Sequence, residues 1–327
     1  MISSTRFAES RYYGSSNQLF GMKPYRVIGG KADGTFCVDL YNKTGIQLTV
    51  VPDRGMDILS LKNQGTNMGY LSKTGLVGPK YFVEQNAHGF MKNFFVGFLT
   101  TGGLSYMGTG DESHGLHGTI SNTPAYRVSM VEDDGYLAVT GEVKEAEMYG
   151  VHLVLQRTIK LAIDRPEIEI IDQVTNHGFS AAPLMLLYHM NFGYPFLSPG
   201  TVIELPEGQT FARDGRVLDN RDPAFRSVTD PADDGQERVV FHRPAESAAT
   251  SYCLRNPTLG RSVRVHFSPM QLPYLNEWQS FVSGDYVLGL EPGTNDVNGR
   301  AQAIENGELQ QLNPGETKEF IITVELS

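Results

Sequence analysis

The feature that most constrains this chain is a two-residue alternation of apolar side chains sustained over long stretches. Ile46, Leu48 and Val50 share one face, and Val151, Leu153 and Leu155 continue in step to Ile159, Leu161 and Ile163. Successive side chains of a strand point to opposite faces, so this period builds half-buried β-strands, whereas a helix repeats near 3.6 residues. Tyr126 to Val131 and Tyr136 to Val143 flank Asp133-Asp134-Gly135, which supplies the positive-φ position of a tight hairpin. Asp164-Arg165-Pro166 makes a second turn, after which Ile168, Ile170 and Val174 return the chain to the sheet as a meander. The short-strand signal recurs at Arg238 to Phe241, Ser262 to Phe267, Tyr286 to Leu290 and Glu319 to Leu326, and no stretch reads as an amphipathic helix. The expected fold is all-β, a large antiparallel β-sandwich.

The 35 Gly and 17 Pro are scattered as turn punctuation, and no Ser/Gly-rich linker divides the chain, so residues 1–327 are expected to form one domain. No fixed-period repeat points to a propeller or solenoid. Residues 213–235, rich in Asp, Arg and Pro, read as a long surface excursion that either solvates a connection or covers a site.

Charge and composition narrow the partners. A formal net charge of -10 argues against nucleic acid and anionic membranes, which select clustered Lys and Arg. Arg255, Arg261 and Arg264 alternate with Val263 and Val265 as the wet face of a strand. Apolar runs such as Phe94 to Leu99 are too short for a membrane helix, and Met1 to Gly14 lacks the apolar centre of a secretion signal, so the expected location is cytoplasmic. Cys37 and Cys253 lie far apart with no Cys-x-x-Cys, which suggests neither a zinc knuckle nor a disulfide framework.

Three short segments carry groups suited to chemistry. In Gly115-Leu116-His117-Gly118-Thr119, flanking glycines let a ligand approach an imidazole, although a histidine filling a turn gives the same pattern. Tyr188-His189-Met190-Asn191-Phe192-Gly193 closes an apolar run, placing His189 and Asn191 on one face at the edge of a buried sheet. The bland alternative is a core histidine bonded to a carbonyl. Leu288-Gly289-Leu290-Glu291-Pro292-Gly293 ends a short apolar strand in a carboxylate, and Pro292 biases Glu291 to an extended backbone. Glu277-Trp278-Gln279 adds the only tryptophan, either a sugar platform or simply core. His114 and His117 at three-residue spacing lack a carboxylate partner, so no metal is expected. Nucleophile-elbow, P-loop and dinucleotide signatures are absent, and no cofactor is expected.

Taken in order, Leu-His-Gly at 116–118, Tyr-His-x-Asn-Phe-Gly at 188–193 and Gly-Leu-Glu-Pro at 289–292 resemble the aldose 1-epimerase or galactose mutarotase-like superfamily. Leu312-Asn313-Pro314-Gly315-Glu316 before a last apolar strand is similar to the close of that fold. Val51 to Ile58, Thr101 to Leu104 and Asn276 to Trp278 resemble a poorly characterised branch of it.

The resemblance implies a β-sandwich with an open sugar cleft and a cofactor-free isomerase that interconverts sugar anomers. His189 matches the general acid, Glu291 the general base and His117 a histidine that supports the substrate. Asn191, Glu277 and Trp278 are the expected neighbours of a small-molecule sugar or sugar derivative. The better-known mutarotases carry an Arg ahead of the first histidine, yet Phe90 to Leu116 contains none, so Arg54 and Arg300 are the expected replacement cations. Two alternatives stay open: a sugar-binding or regulatory module without catalysis, and another carbohydrate isomerase or epimerase on the same scaffold. The sugar, its phosphorylation and the oligomeric state, a homo-oligomer included, are not readable from the sequence.

Overall fold

The computed structural model describes residues 8–84, 86–133, 135–219, 222 and 225–327. Two large sheets, one of 13 strands and one of eight, dominate the described residues, with a two-stranded ribbon beside them. The strand pairs within them are antiparallel, as the alternation requires. The meander of the middle third forms strands Tyr126–Asp133, Tyr136–Ala146, His152–Ala162 and Glu167–Asn176, adjacent in the eight-stranded sheet. Gly135 at the first turn has φ +88°, while Asp134 lies outside the described residues. The seven N-terminal residues read for a secretion signal, and residues 220, 221, 223 and 224 of the expected excursion, also lie outside them.

One continuous apolar core lies between the sheets. Leu153, Leu155, Ile159 and Leu161 enter it from the smaller sheet, and Leu184, Leu186, Tyr188 and Met190 from the larger. Among the described residues, helix is confined to short pieces such as Asn86–Met91 and Arg300–Glu305. No helix among the described residues is long and apolar enough to cross a membrane. Cys37 and Cys253 are both buried and free.

What positions the site is the strand Ala182–Gly193 near the middle of the larger sheet. It pairs on one side with Leu99–Leu104, bringing His189 opposite Thr100, and on the other with Asp285–Gly293. The latter pairs with Tyr274–Val282, setting Glu291 opposite Asn276 and Gly289 opposite Trp278. Directly paired residues share a face. His189, Asn191, Gly289, Glu291, Asn276 and Trp278 therefore all turn away from the sandwich core, onto the outer face of the larger sheet.

Candidate active site

A cavity of about 270 Å³ opens on that outer face, lined by His117, His189, Glu291, Trp278, Phe90, Phe94, Arg213 and Glu237 among others. Phe90, Phe94, Leu116 and Trp278 build its apolar wall, backed by the buried Val96 and Val287. The His189 ring meets Phe94, Trp278 and His117 edge to face, with centroids 5.3, 5.5 and 5.5 Å away. An imidazole enclosed by aromatic rings loses hydration, which disfavours its charged form.

The tautomer of His189 follows from its neighbour. The Asn191 amide nitrogen donates to the His189 carbonyl at 2.7 Å and to the Val96 carbonyl at 3.3 Å. Its oxygen must then face His189 Nδ1, 2.7 Å away, so Nδ1 carries the hydrogen and donates. That leaves the Nε2 lone pair aimed into the cavity, 3.2 Å from Glu291 Oε1.

Glu291 reaches that point because Gly289, two residues earlier on the same face, has no side chain. A Cβ there would lie 2.4 Å from Glu291 Oε1 and 3.4 Å from Asn191 Oδ1. The Gly-Leu-Glu spacing is thus steric: the glycine vacates the space over which the carboxyl folds back. A comparable demand acts at Gly118, which has φ +75° and where a Cβ would meet the Tyr106 and Gly103 carbonyl oxygens at 2.4 and 2.6 Å. This close approach fixes the turn that carries His117, itself at φ +58°.

The electrostatics are those of a dry site. Burial pushes the Glu291 carboxyl well above the usual carboxylate range. Burial, and then the neighbouring His117, lower His189 to about 3. Burial, and then Arg213, lower His117 to about 4. Both shifts favour the neutral forms, a protonated Glu291 facing a neutral imidazole. Glu291 Oε1 and His117 Nδ1 are sheltered from solvent and have no hydrogen-bond partner among the described residues. Buried polar atoms seldom stay unpaired unless something else completes them.

The expected residues divide into two groups. His117, His189, Glu291 and Trp278 line the cavity, and Asn191 stands directly behind His189. Glu277 does not join them. Next to Trp278 in a strand, it must point the other way, and it is buried on the core side between His242 Nε2 at 2.8 Å and Gln279 Nε2 at 2.6 Å. Arg54 is enclosed elsewhere, donating to the carbonyls of Ser121, Val77 and Asn93 at 2.6, 2.7 and 3.0 Å, so its guanidinium is occupied in holding loops together. Arg300 lines a separate polar cavity with Ser105, His114 and Glu145, and donates to the Ser105 carbonyl at 3.1 Å.

The cation at the cleft is Arg213. It stands at the mouth and donates to Thr109 Oγ1 at 2.8 Å and Asn298 Oδ1 at 3.4 Å. The sequence marks it only as the first residue of a polar excursion, and Phe90 only as the start of the segment before the first histidine that contains no Arg. Among the described residues, no group of three or more His, Cys, Asp or Glu is arranged to hold a metal ion.

Comparison with known proteins agrees with this architecture. No curated protein matches the chain in sequence. A candidate aldose 1-epimerase of Klebsiella pneumoniae superposes with a TM-score of 0.86 at 25% identity, covering 95% of this chain and 86% of the other. A galactose mutarotase-like protein of Clostridium acetobutylicum gives 0.69 at 14% identity, covering 95% and 99%. Galactose 1-epimerase of Lactobacillus acidophilus gives 0.63 at 10% identity, covering 94% and 99%, a likeness of fold alone. The larger sheet, the cleft on its outer face and these neighbours all describe a galactose mutarotase-like β-sandwich. Residues 32–326 match the model of the domain of unknown function DUF4432, and the chain belongs to that family.

Proposed function

We propose that this protein is a carbohydrate isomerase that interconverts sugar anomers, an aldose 1-epimerase, with His189 and Glu291 as its acid-base pair. The observation that carries the reading is the buried His189–Glu291 contact, 3.2 Å apart, in the wall of the cavity. Anomer exchange takes one proton from the O1 hydroxyl and delivers one to the ring oxygen. The open aldehyde then rotates about C1–C2 and recloses by the reverse steps. The net proton count is zero, so a pair sharing a single proton suffices.

A sugar hydroxyl entering the cavity supplies the donor that Glu291 Oε1 lacks, which favours the carboxylate. The Glu291 proton then passes to the facing Nε2. The resulting carboxylate takes the O1 proton while the imidazolium protonates the ring oxygen. Asn191 holds the ring orientation throughout by accepting from Nδ1. His117 serves as a substrate contact, Trp278 as an apolar platform and Arg213 as the cation at the mouth.

The test is anomer-exchange NMR across free and phosphorylated sugars. Glu291→Gln keeps the shape but cannot take the proton, so exchange should fall about a hundredfold to ten-thousandfold with binding retained. His189→Asn should also lose exchange, while His117→Asn should weaken binding at least as much as turnover. Wild-type exchange by Glu291→Gln, in a variant shown to be folded, overturns the assignment of the base.

A further inference from the structure

A second cavity, of about 340 Å³, lies along the same outer face, and Arg213 lines both. Its walls are Phe211, Phe241 and Tyr274, with Arg243, Asn298 and Glu308 among its polar groups. The geometry of the strands sets how far apart the two cavities are. Val239 lines the first and Phe241 the second, two residues on along one strand and on one face, a step of about 7 Å. The apolar support is continuous as well: Val297 and Val239, which border the first cavity, pack with Phe241, Tyr274 and Leu187 beneath the second.

We infer that the cleft has two adjoining subsites and that its substrate class is a reducing disaccharide or longer glycan end. The reducing ring sits at His189 and Glu291, and the next ring lies against Phe211 and Phe241, edged by the Arg243 guanidinium that covers the Tyr274 ring. A pyranose has apolar C–H faces and a polar rim, which suits aromatic walls edged by fixed polar groups. Those edges are already oriented. Arg243 donates to the Tyr274 hydroxyl at 2.5 Å and pairs with Glu308, and the Tyr274 hydroxyl donates to Glu308 at 2.6 Å. Asn298, half-buried, spans the junction by accepting from Arg213. This inference rests on the acid-base reading of the first cavity.

The experiment compares kcat/KM for anomer exchange on glucose, galactose and mannose with that on reducing disaccharides ending in each. Two variants accompany the wild type: Phe211→Ala, which removes part of the aromatic wall of the second cavity alone, and Asn306→Trp, which fills that cavity from its exposed edge. The expected result is at least one disaccharide preferred over its own reducing monosaccharide by tenfold or more. Both variants should erase that preference while monosaccharide exchange persists. Preference for the monosaccharide in every pair overturns the inference, as does loss of both activities in parallel by folded variants. Calorimetric titration with the same sugars separates this inference from the catalytic one. If no sugar exchanges but a disaccharide binds to the wild type and not to Asn306→Trp, the acid-base reading fails and the subsites stand. If no disaccharide binds, the subsites fail.

Discussion

Tyr188 and His189 are neighbours in one strand, and its alternation sends them into two different buried polar clusters. Tyr188 points into the sandwich core and donates to Asp172 Oδ2 at 2.7 Å. Asp172 also receives Arg157 through both oxygens, Nε at 2.8 Å and Nη2 at 2.6 Å, and Arg157 Nη1 donates to Thr101 Oγ1 at 2.6 Å. Thr101 in turn donates to Asp57 Oδ1 at 2.6 Å. One loose end remains, Asp57 Oδ2, and burial lifts that carboxyl to about 6. His189 points outward to a cluster of opposite design, in which Glu291 has no charged donor aligned on it. The inner cluster spends its bonding capacity within the protein, where it fixes strand pairing. The outer one leaves capacity open toward a cavity, where a ligand can use it.

The inner cluster depends most on Arg157. Arg157→Met leaves Asp172 buried without its counter-ion and should cost about 3–5 kcal/mol, read from urea unfolding. Replacing both partners, Arg157→Met with Asp172→Leu, should cost much less than the single change, because no charge is stranded. A single variant within 1 kcal/mol of the wild type, roughly the size of an ordinary surface effect, would mean that the inner cluster is not structural.

Glu291→Gln should act in the opposite direction on stability. The native carboxyl titrates well above its unfolded counterpart, whose reference value is about 4.3. Below that value both states are protonated and the group costs nothing. As pH rises, the unfolded chain ionises first, and the wild type loses about 1.4 kcal/mol per pH unit until the native carboxyl titrates. The variant escapes this loss, so its advantage should be absent at pH 4 and grow as pH rises above the unfolded value in paired thermal melts. His189 gives the complementary acid limb. Its native value near 3 means that stability is lost as pH falls from about 6.5 toward 3, and His189→Asn should flatten that slope.

Gly289→Ala disturbs the outer cluster without touching a titratable group. The added methyl occupies the place of Glu291 Oε1, so the carboxyl must swing away. Exchange should fall about tenfold or more, equivalent to about 1.4 kcal/mol in the barrier. Overpacking should cost about 1–3 kcal/mol of stability. Unchanged exchange would show that the folded-back carboxyl is not the working position.

Much of this arrangement is legible in the sequence through parity alone. The alternation gives the strands and the meander, and it places His189 with Asn191 on one face. The same parity applied to Glu277 and Trp278 separates them, so only one of the two could face the cleft. It also carries Arg157 onto the apolar face between Leu155 and Ile159, where burial demands a counter-ion, found in register at Asp172. What parity does not give is which strands become neighbours across long separations. The pairing that brings residue 189 beside 291 joins segments about 100 residues apart, and only the ordered motifs hinted at it. Arg54 shows the other limit. Guanidinium groups near a motif suggest ligand contacts, yet three backbone carbonyls can claim one entirely.

Trp278 is the only tryptophan and hence a clean reporter. Its half-buried indole borders the cavity, packs edge to face on His189 and donates from Nε1 to Glu237 at 3.1 Å. A sugar seated at His189 and Glu291 displaces water from the indole face, so emission should shift to the blue and change intensity on titration. Glu237→Gln keeps an acceptor for the indole and should preserve that signal, whereas Glu237→Ala should alter the emission of the free protein. The inner cluster offers an internal control. Arg157 and Asp172 lie across the sheet from Trp278, so the Arg157→Met, Asp172→Leu pair should retain the sugar response if the two clusters act independently. A saturating sugar whose binding is seen by calorimetry but which leaves Trp278 emission unchanged would move the sugar away from the aromatic wall.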